Sequence, residues 1–158
     1  SPILPACYTT PHTFLNFTGG ASVQIDLNGL YDMASNFSLE ADVLWLNTSK
    51  SSLPEGIISK PRSPSETGWK LVVYQGQWVF GIHNQNSNND NVYIPAVANA
   101  WHHLKATLSG SLLMTLSVTQ KYGSCMKTTS QKQISYGPMT GSTPLVFGRE
   151  YLTEFQSG

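Results

Sequence analysis

A chain of 158 residues, 40% of them hydrophobic and 11% aromatic, is long enough for one domain with a core of its own. Nine basic residues balance nine acidic ones, and charged residues make up only 11% of the chain. That balance argues against a nucleic-acid binder, which needs a basic patch to release counterions, and against an anionic membrane surface as partner. Solubility then rests on Ser, Thr, Asn and Gln, with attached glycans as a further source.

In chain order, residues 1–11 carry three prolines and are predicted to be an irregular lead-in. Phe14-Leu15-Asn16-Phe17 is predicted to be a short strand, turned at Gly19-Gly20. Val23, Ile25 and Leu27 alternate with polar residues up to Asn28-Gly29, giving a second strand. The cleanest alternation follows: Phe37, Leu39, Ala41, Val43 and Trp45 share one face, and Ser38, Glu40 and Asp42 share the other. Ile57-Ile58-Ser59-Lys60 is a short strand before a Pro/Ser-rich loop at 61–68. Trp69, Leu71 and Val73 turn at Gln75-Gly76 into Trp78, Phe80 and Ile82, the spacing of a hairpin. Residues 83–91 form an asparagine-dominated loop, and Val92-Tyr93-Ile94 returns as a strand. Leu104, Ala106 and Leu108, then Leu112, Met114, Leu116 and Val118, flank Ser109-Gly110-Ser111 as a second hairpin with one buried face. Residues 121–135 are polar without a clear period, and Leu145-Val146-Phe147-Gly148 is a last strand.

No segment beyond about ten residues has helical periodicity, with one short turn expected at 30–35. Short strands separated by turn signals predict an all-β, two-sheet antiparallel jelly-roll sandwich in a single domain over 1–158. No stretch approaches about 18 consecutive apolar residues, so no membrane-spanning helix is predicted.

Cys7 and Cys125 lie too far apart for a zinc-ribbon or thioredoxin motif. Two readings stay open: a disulfide tying the N-terminal segment to the region after 112–118, or two separate buried thiols. Asn16, Asn36 and Asn47 head three Asn-x-Ser/Thr glycosylation sequons within the first fifty residues of a charge-poor chain. Together these features predict a secreted protein, or one on the extracellular face of a membrane or a virion.

The order Phe14-Leu15-Asn16-Phe17, Phe37-Ser38-Leu39-Glu40-Ala41, Gly68-Trp69-Lys70-Leu71, Trp101-His102-His103-Leu104 and Leu145-Val146-Phe147-Gly148 resembles laminin G-like domains of the concanavalin A-like (lectin–glucanase) sandwich, with pentraxin-like jelly rolls as further relatives. The resemblance implies an extracellular recognition or cell-adhesion module. The chain departs from that pattern at Thr119-Gln120-Lys121-Tyr122-Gly123, where the family has an Asp-Gly turn, and at its end, where a further core strand would begin. The expectation is that residues after Gly158, in the remainder of the precursor, or a partner strand complete the sheet.

Several residues are candidates for a site. Glu40 and Asp42, two apart on one strand, project from the same non-core face, and Lys70, Tyr74 and His83 are expected beside them in a groove for a sugar or peptide. Glu40-x-Asp42 also partly resembles the acidic strand of sandwich-fold glucanases, without its third acid. The resemblance to calcium-binding relatives implies a rim calcium site built from Asp26, Asn28, Asn88 and Asp90. Trp45, Trp69 and Trp78 share faces with aliphatic neighbours and are assigned to the core, while Trp101 begins its strand. His102 and His103 point to opposite faces. The reading is a non-catalytic module that binds a glycan or an extracellular protein. The alternatives are a glycoside hydrolase or lectin using Glu40 and Asp42, and an assembly domain completed by a partner strand.

Overall fold

A computed structural model describes residues 7–8, 13–17, 21–25, 36–46, 54–60, 68–83, 89–135 and 144–148. Its strands are β1 (Val23–Ile25), β2 (Phe37–Leu44), β3 (Glu55–Lys60), β4 (Gly68–Tyr74), β5 (Gln77–His83), β6 (Asn89–Pro95), β7 (Trp101–Leu108), β8 (Leu113–Gln120), β9 (Lys127–Gln133) and β10 (Leu145–Phe147). They form two sheets, a six-stranded one in the order β1-β10-β3-β4-β5-β6 and a four-stranded one in the order β2-β7-β8-β9. Every pairing is antiparallel. The described residues contain no helix, so the predicted all-β sandwich is the architecture found. The predicted turn at 30–35 lies outside the described residues.

The core fills the gap between the sheets and follows the period of two. Trp69, Leu71, Trp78 and Phe80 enter it from the larger sheet, and Leu104, Ala106, Met114 and Leu116 from the smaller one. Trp78, Phe80, Leu71 and Leu104 are fully buried. Burying a side chain of that size stabilises the fold by about 2–3 kcal/mol. Val72, Val79 and Val146 occupy the other parity of the larger sheet and are buried as well. β3, β4 and β5 therefore carry nearly continuous apolar runs rather than strict alternation.

Several predicted boundaries move. Residues 14–17 make no ladder, because their two aromatics face different partners: Phe14 meets Trp101 edge-on at 5.8 Å, and Phe17 lies against Gly148. The predicted asparagine loop is shorter than expected, since His83 ends β5 and Asn89, Asp90 and Asn91 begin β6 in register with His83, Ile82 and Gly81. The polar segment 121–135 contains β9, an almost wholly exposed edge strand that shows no hydrophobic alternation. Leu112 is not in the strand. It closes the β7–β8 turn at φ +62°, with its N–H donating to Ser109 O, while Leu113 O accepts from Ser109 N–H. That left-handed position usually takes glycine, and here it is held by packing of the leucine on the core. Across the sandwich, Lys132 of β9 pairs with Asp90 of β6 at 2.6 Å.

At the far edge, Gly148 has φ +81° and its N–H donates to Ile57 O at 3.1 Å. A Cβ built there would sit 2.2 Å from the Phe17 ring, which occupies the space a side chain would need. Gly148→Ala must therefore displace that ring and hold alanine in the left-handed region. The expected loss is about 2–4 kcal/mol, measured as a lower midpoint in urea. Phe17→Ala in the same background should recover part of it.

Candidate functional site

The register of β2 on β7 determines which side chains meet on the outer face of the four-stranded sheet. Glu40 pairs with Lys105 and Asp42 with His103, so alternation places these four together. The next strand adds Ser117 opposite Lys105 and Thr119 opposite His103, and β9 adds Thr129 and Lys127 in the same rows. Ser117 Oγ lies 3.1 Å from Thr129 Oγ1. These two rows are polar throughout, while the next row of the same face pairs Leu44 with Trp101.

Its charges are paired in a chain. Lys105 Nζ lies 3.0 Å from Glu40 Oε1, and His103 Nε2 lies 3.4 Å from Glu40 Oε2. The other ring nitrogen of His103, Nδ1, is 2.9 Å from Asp42 Oδ1, and Lys121 Nζ is 3.0 Å from Asp42 Oδ2. Lys105 holds the Glu40 carboxyl below its ordinary range, with His103 adding to the effect. Burial pushes Asp42 up, but hydrogen bonds from His103 and Lys121 outweigh it and the net shift is downward. Both carboxylates are therefore ionised acceptors.

Lys121 is fully buried although its parity is outward. Of the described residues, Cys7 and Tyr8 reach this end of the face. Cys7 and Cys125 form a disulfide with Cα atoms 5.6 Å apart, and Cys7 N–H donates to Lys121 O at 2.7 Å. Tyr8 lies flat on His103, with centroids 4.5 Å apart and planes 14° apart, and is 41% exposed. A phenol ring stacked on His103 is thus partly presented to solvent. Of the two readings left open for the cysteines, the disulfide is the one the structure contains.

The expected five-residue groove does not form. Lys70, Tyr74 and His83 lie in the six-stranded sheet with outward parity, so they and the Glu40–Asp42 pair point away from each other on opposite sides of the sandwich. Period-two alternation assigns a side chain to the non-core face but does not say which sheet carries the strand. Lys70 passes over Gly81, where a Cβ would stand 3.1 Å from its Cε. His83 is buried with Nδ1 2.5 Å from Asn89 Oδ1, and Tyr74 Oη accepts from Gln75 Nε2 at 3.2 Å.

Of the four candidate calcium ligands, Asp26, Asn28 and Asn88 lie outside the described residues, and Asp90 pairs with Lys132. Among the described residues no three His, Cys, Asp or Glu side chains gather as a metal site. Nor is any helix among them long and apolar enough to cross a membrane. Asn16 and Asn36 are exposed, and Asn47 lies outside the described residues. Tyr8, His103, Lys105 and Lys121 are the members of the outer-face cluster that sequence reasoning missed. The parity of His103 and Lys105 was available locally, but their pairing with β2 is not a local property.

His102, on the core side of the same strand, packs on Trp78 at 5.6 Å, and its Nδ1 lies 3.0 Å from Ala100 O. Burial lowers its pKa below the ordinary histidine value of 6.5, partly countered by that backbone contact.

The sandwich is similar to the binding domain of botulinum neurotoxin serotype D, at 17% identity and TM-score 0.63 over 84% of this chain and 33% of that one. It is also similar to the binding domain of Paraclostridial mosquitocidal protein 1, at 14% identity and TM-score 0.62 over 84% and 34%. Domains LG4-5 of the mouse laminin alpha1 chain match at 15% identity and TM-score 0.60 over 86% and 34%. At these identities the likeness is one of fold, and the chain spans about a third of the length of the solved structures it matches. The family model described as Clostridium neurotoxin, N-terminal receptor binding, matches residues 17–129, which include Glu40, Asp42, His103, Lys105 and Lys121 but not Cys7 or Tyr8. No curated protein matches the chain.

Asp42→Asn removes the carboxylate opposite a buried ammonium and is expected to cost about 2–3 kcal/mol by urea denaturation, with much of the loss recovered in Asp42→Asn/Lys121→Met. The two depressed carboxylates give stability that is complete above their unfolded pKa, about pH 4, and is lost as pH falls through their folded values. His102 acts at higher pH: its lowered pKa gives stability that is full above 6.5 and is lost as the solution is acidified below that. His102→Gln should therefore flatten the fall in Tm between about pH 7 and about pH 5, relative to the parent.

Proposed function

Because the chain belongs to the Clostridium neurotoxin N-terminal receptor-binding family, we propose that it is a non-catalytic recognition module of a secreted protein, binding a glycan or a protein receptor through the outer face of its four-stranded sheet. The observation that carries this reading is the Tyr8 ring held flat on His103 beside rows of hydroxyl and paired charged groups. Short polar side chains and one rigid aromatic plane suit a sugar ring or a polar protein surface. Serotype D neurotoxin and the mosquitocidal protein are matched through structures described as binding domains, which supports the same reading. The disulfide fits an oxidising, extracellular compartment.

The glycosidase alternative lacks support in the geometry. Hydrolysis needs one carboxyl kept protonated near neutrality, and both Glu40 and Asp42 are shifted the other way.

A glycan array run with calcium and then with chelator, followed by receptor pull-down, tests the proposal. Tyr8→Ala and Lys105→Glu should each weaken whatever binding appears by about tenfold, while Tyr74→Ala on the opposite sheet leaves it unchanged. Loss with Tyr74→Ala and none with Tyr8→Ala would overturn the assignment of the face.

A further inference from the structure

Among the described residues the four-stranded sheet ends at β9, whose ladder partner is β8. Six of the seven residues of β9 are exposed, so this edge faces solvent. The direction of its backbone groups follows from the two ends of the ladder. Ile134 N–H donates to Leu112 O at 3.0 Å, and Met126 O accepts from Gln120 N–H at 3.1 Å. Antiparallel hydrogen bonding alternates residue by residue, and the seven pairs in between run without a bulge. The even-numbered residues therefore turn their N–H and C=O toward β8. Lys127, Thr129, Gln131 and Gln133 turn theirs away from it, and such an outward row is a template for a further strand.

We propose that β9 pairs antiparallel with β9 of a second copy of the chain about a twofold axis at Ser130, joining the two four-stranded sheets into one. The strand is complementary to itself in that register. Lys127 meets Gln133 of the second copy, Thr129 meets Gln131, and the twofold repeats both pairs. Every outward residue is thus matched, giving about eight ladder hydrogen bonds. Centring the axis on Thr129 or on Gln131 leaves one of those residues unmatched.

Charge agrees with the same register. Thr128 meets Lys132 of the second copy, so each ammonium of β9 stands opposite a neutral side chain with an acceptor oxygen. The two copies of Lys132 lie about 13 Å apart along the strands and those of Lys127 about 20 Å, beyond the screening length of roughly 8 Å. Lys127 and the second copy's Lys132 come closer, but they project from opposite faces of the sheet. The pairing uses both β9 edges, so it stops at two chains. The outer faces of the two copies then form one surface with two Glu40–Asp42 clusters, a bivalent arrangement. That consequence rests on the proposed role of the face, whereas the pairing itself does not.

Sedimentation equilibrium of the chain tests the proposal. An edge ladder of this length buries less than the roughly 1,200 Å² of stable complexes, so the dimer is expected to be weak, with Kd in roughly the 10–100 μM range. Thr128→Lys, at an exposed position, sets an ammonium against Lys132 and should weaken the dimer about tenfold, while Thr128→Glu should tighten it about threefold. Gln131→Pro should abolish it with an unchanged far-UV circular dichroism spectrum, because the N–H it removes points away from β8. Ser130→Cys should form an intermolecular disulfide about tenfold faster than Lys132→Cys, since only position 130 meets its own copy. A chain that stays monomeric up to about 1 mM would overturn the proposal. So would a dimer indifferent to both Thr128→Lys and Gln131→Pro, or association that continues past two chains.

Discussion

The pairing of β2 with β7 is the constraint on which the rest of this structure depends. Eight consecutive residue pairs, from Phe37 against Leu108 to Leu44 against Trp101, run without a bulge. A slip of one residue would send Phe37, Leu39, Ala41 and Val43 into water and bring Glu40 and Asp42 into the core. The cost of burying two carboxylates against Leu104 and Leu116 makes that alternative untenable. The same register that fills the core also aligns Glu40 with Lys105 and Asp42 with His103. Core packing and the charged outer face therefore have one origin.

Lys121 shows how the face and the chain's beginning are coupled. An ammonium is seldom fully buried unless an anion accompanies it, and Asp42 is the anion the register supplies. Tyr8 stacks on His103, which shares Asp42 with the lysine, and Cys7 N–H donates to the Lys121 carbonyl. The arrangement is local in space but draws on residues 7, 42, 103 and 121, which no short stretch of sequence brings together.

That distance explains what could be read from sequence and what could not. Strands with one face in the core, β2, β4, β5, β7 and β8, announce themselves by alternation or by long apolar runs, and with them the two-sheet class. β9 is exposed almost throughout, so Lys127–Gln133 has no periodic signal and only its partner β8 specifies it. Phe14 and Phe17 imitate a strand because aromatics at short spacing suit both a ladder and two separate packing contacts. The candidate site was half legible. Glu40 and Asp42 were placed on the correct kind of face, but assigning Lys70, Tyr74 and His83 to the same groove required the sheet order, which is set by non-local pairing.

β9 carries a further consequence. It is a seven-residue, bulge-free edge strand rich in Thr and Gln, the kind of template on which another chain could add a strand and begin to polymerise. Lys127 and Lys132 punctuate it, and Lys132 is drawn across to Asp90 of the other sheet. An incoming strand would have to accept one ammonium near each end and break an ion pair at one of them. In a chain with only nine basic residues, two of them guard this edge, which makes colloidal stability in a molecule of zero net charge a local property of β9 rather than a property of its overall composition.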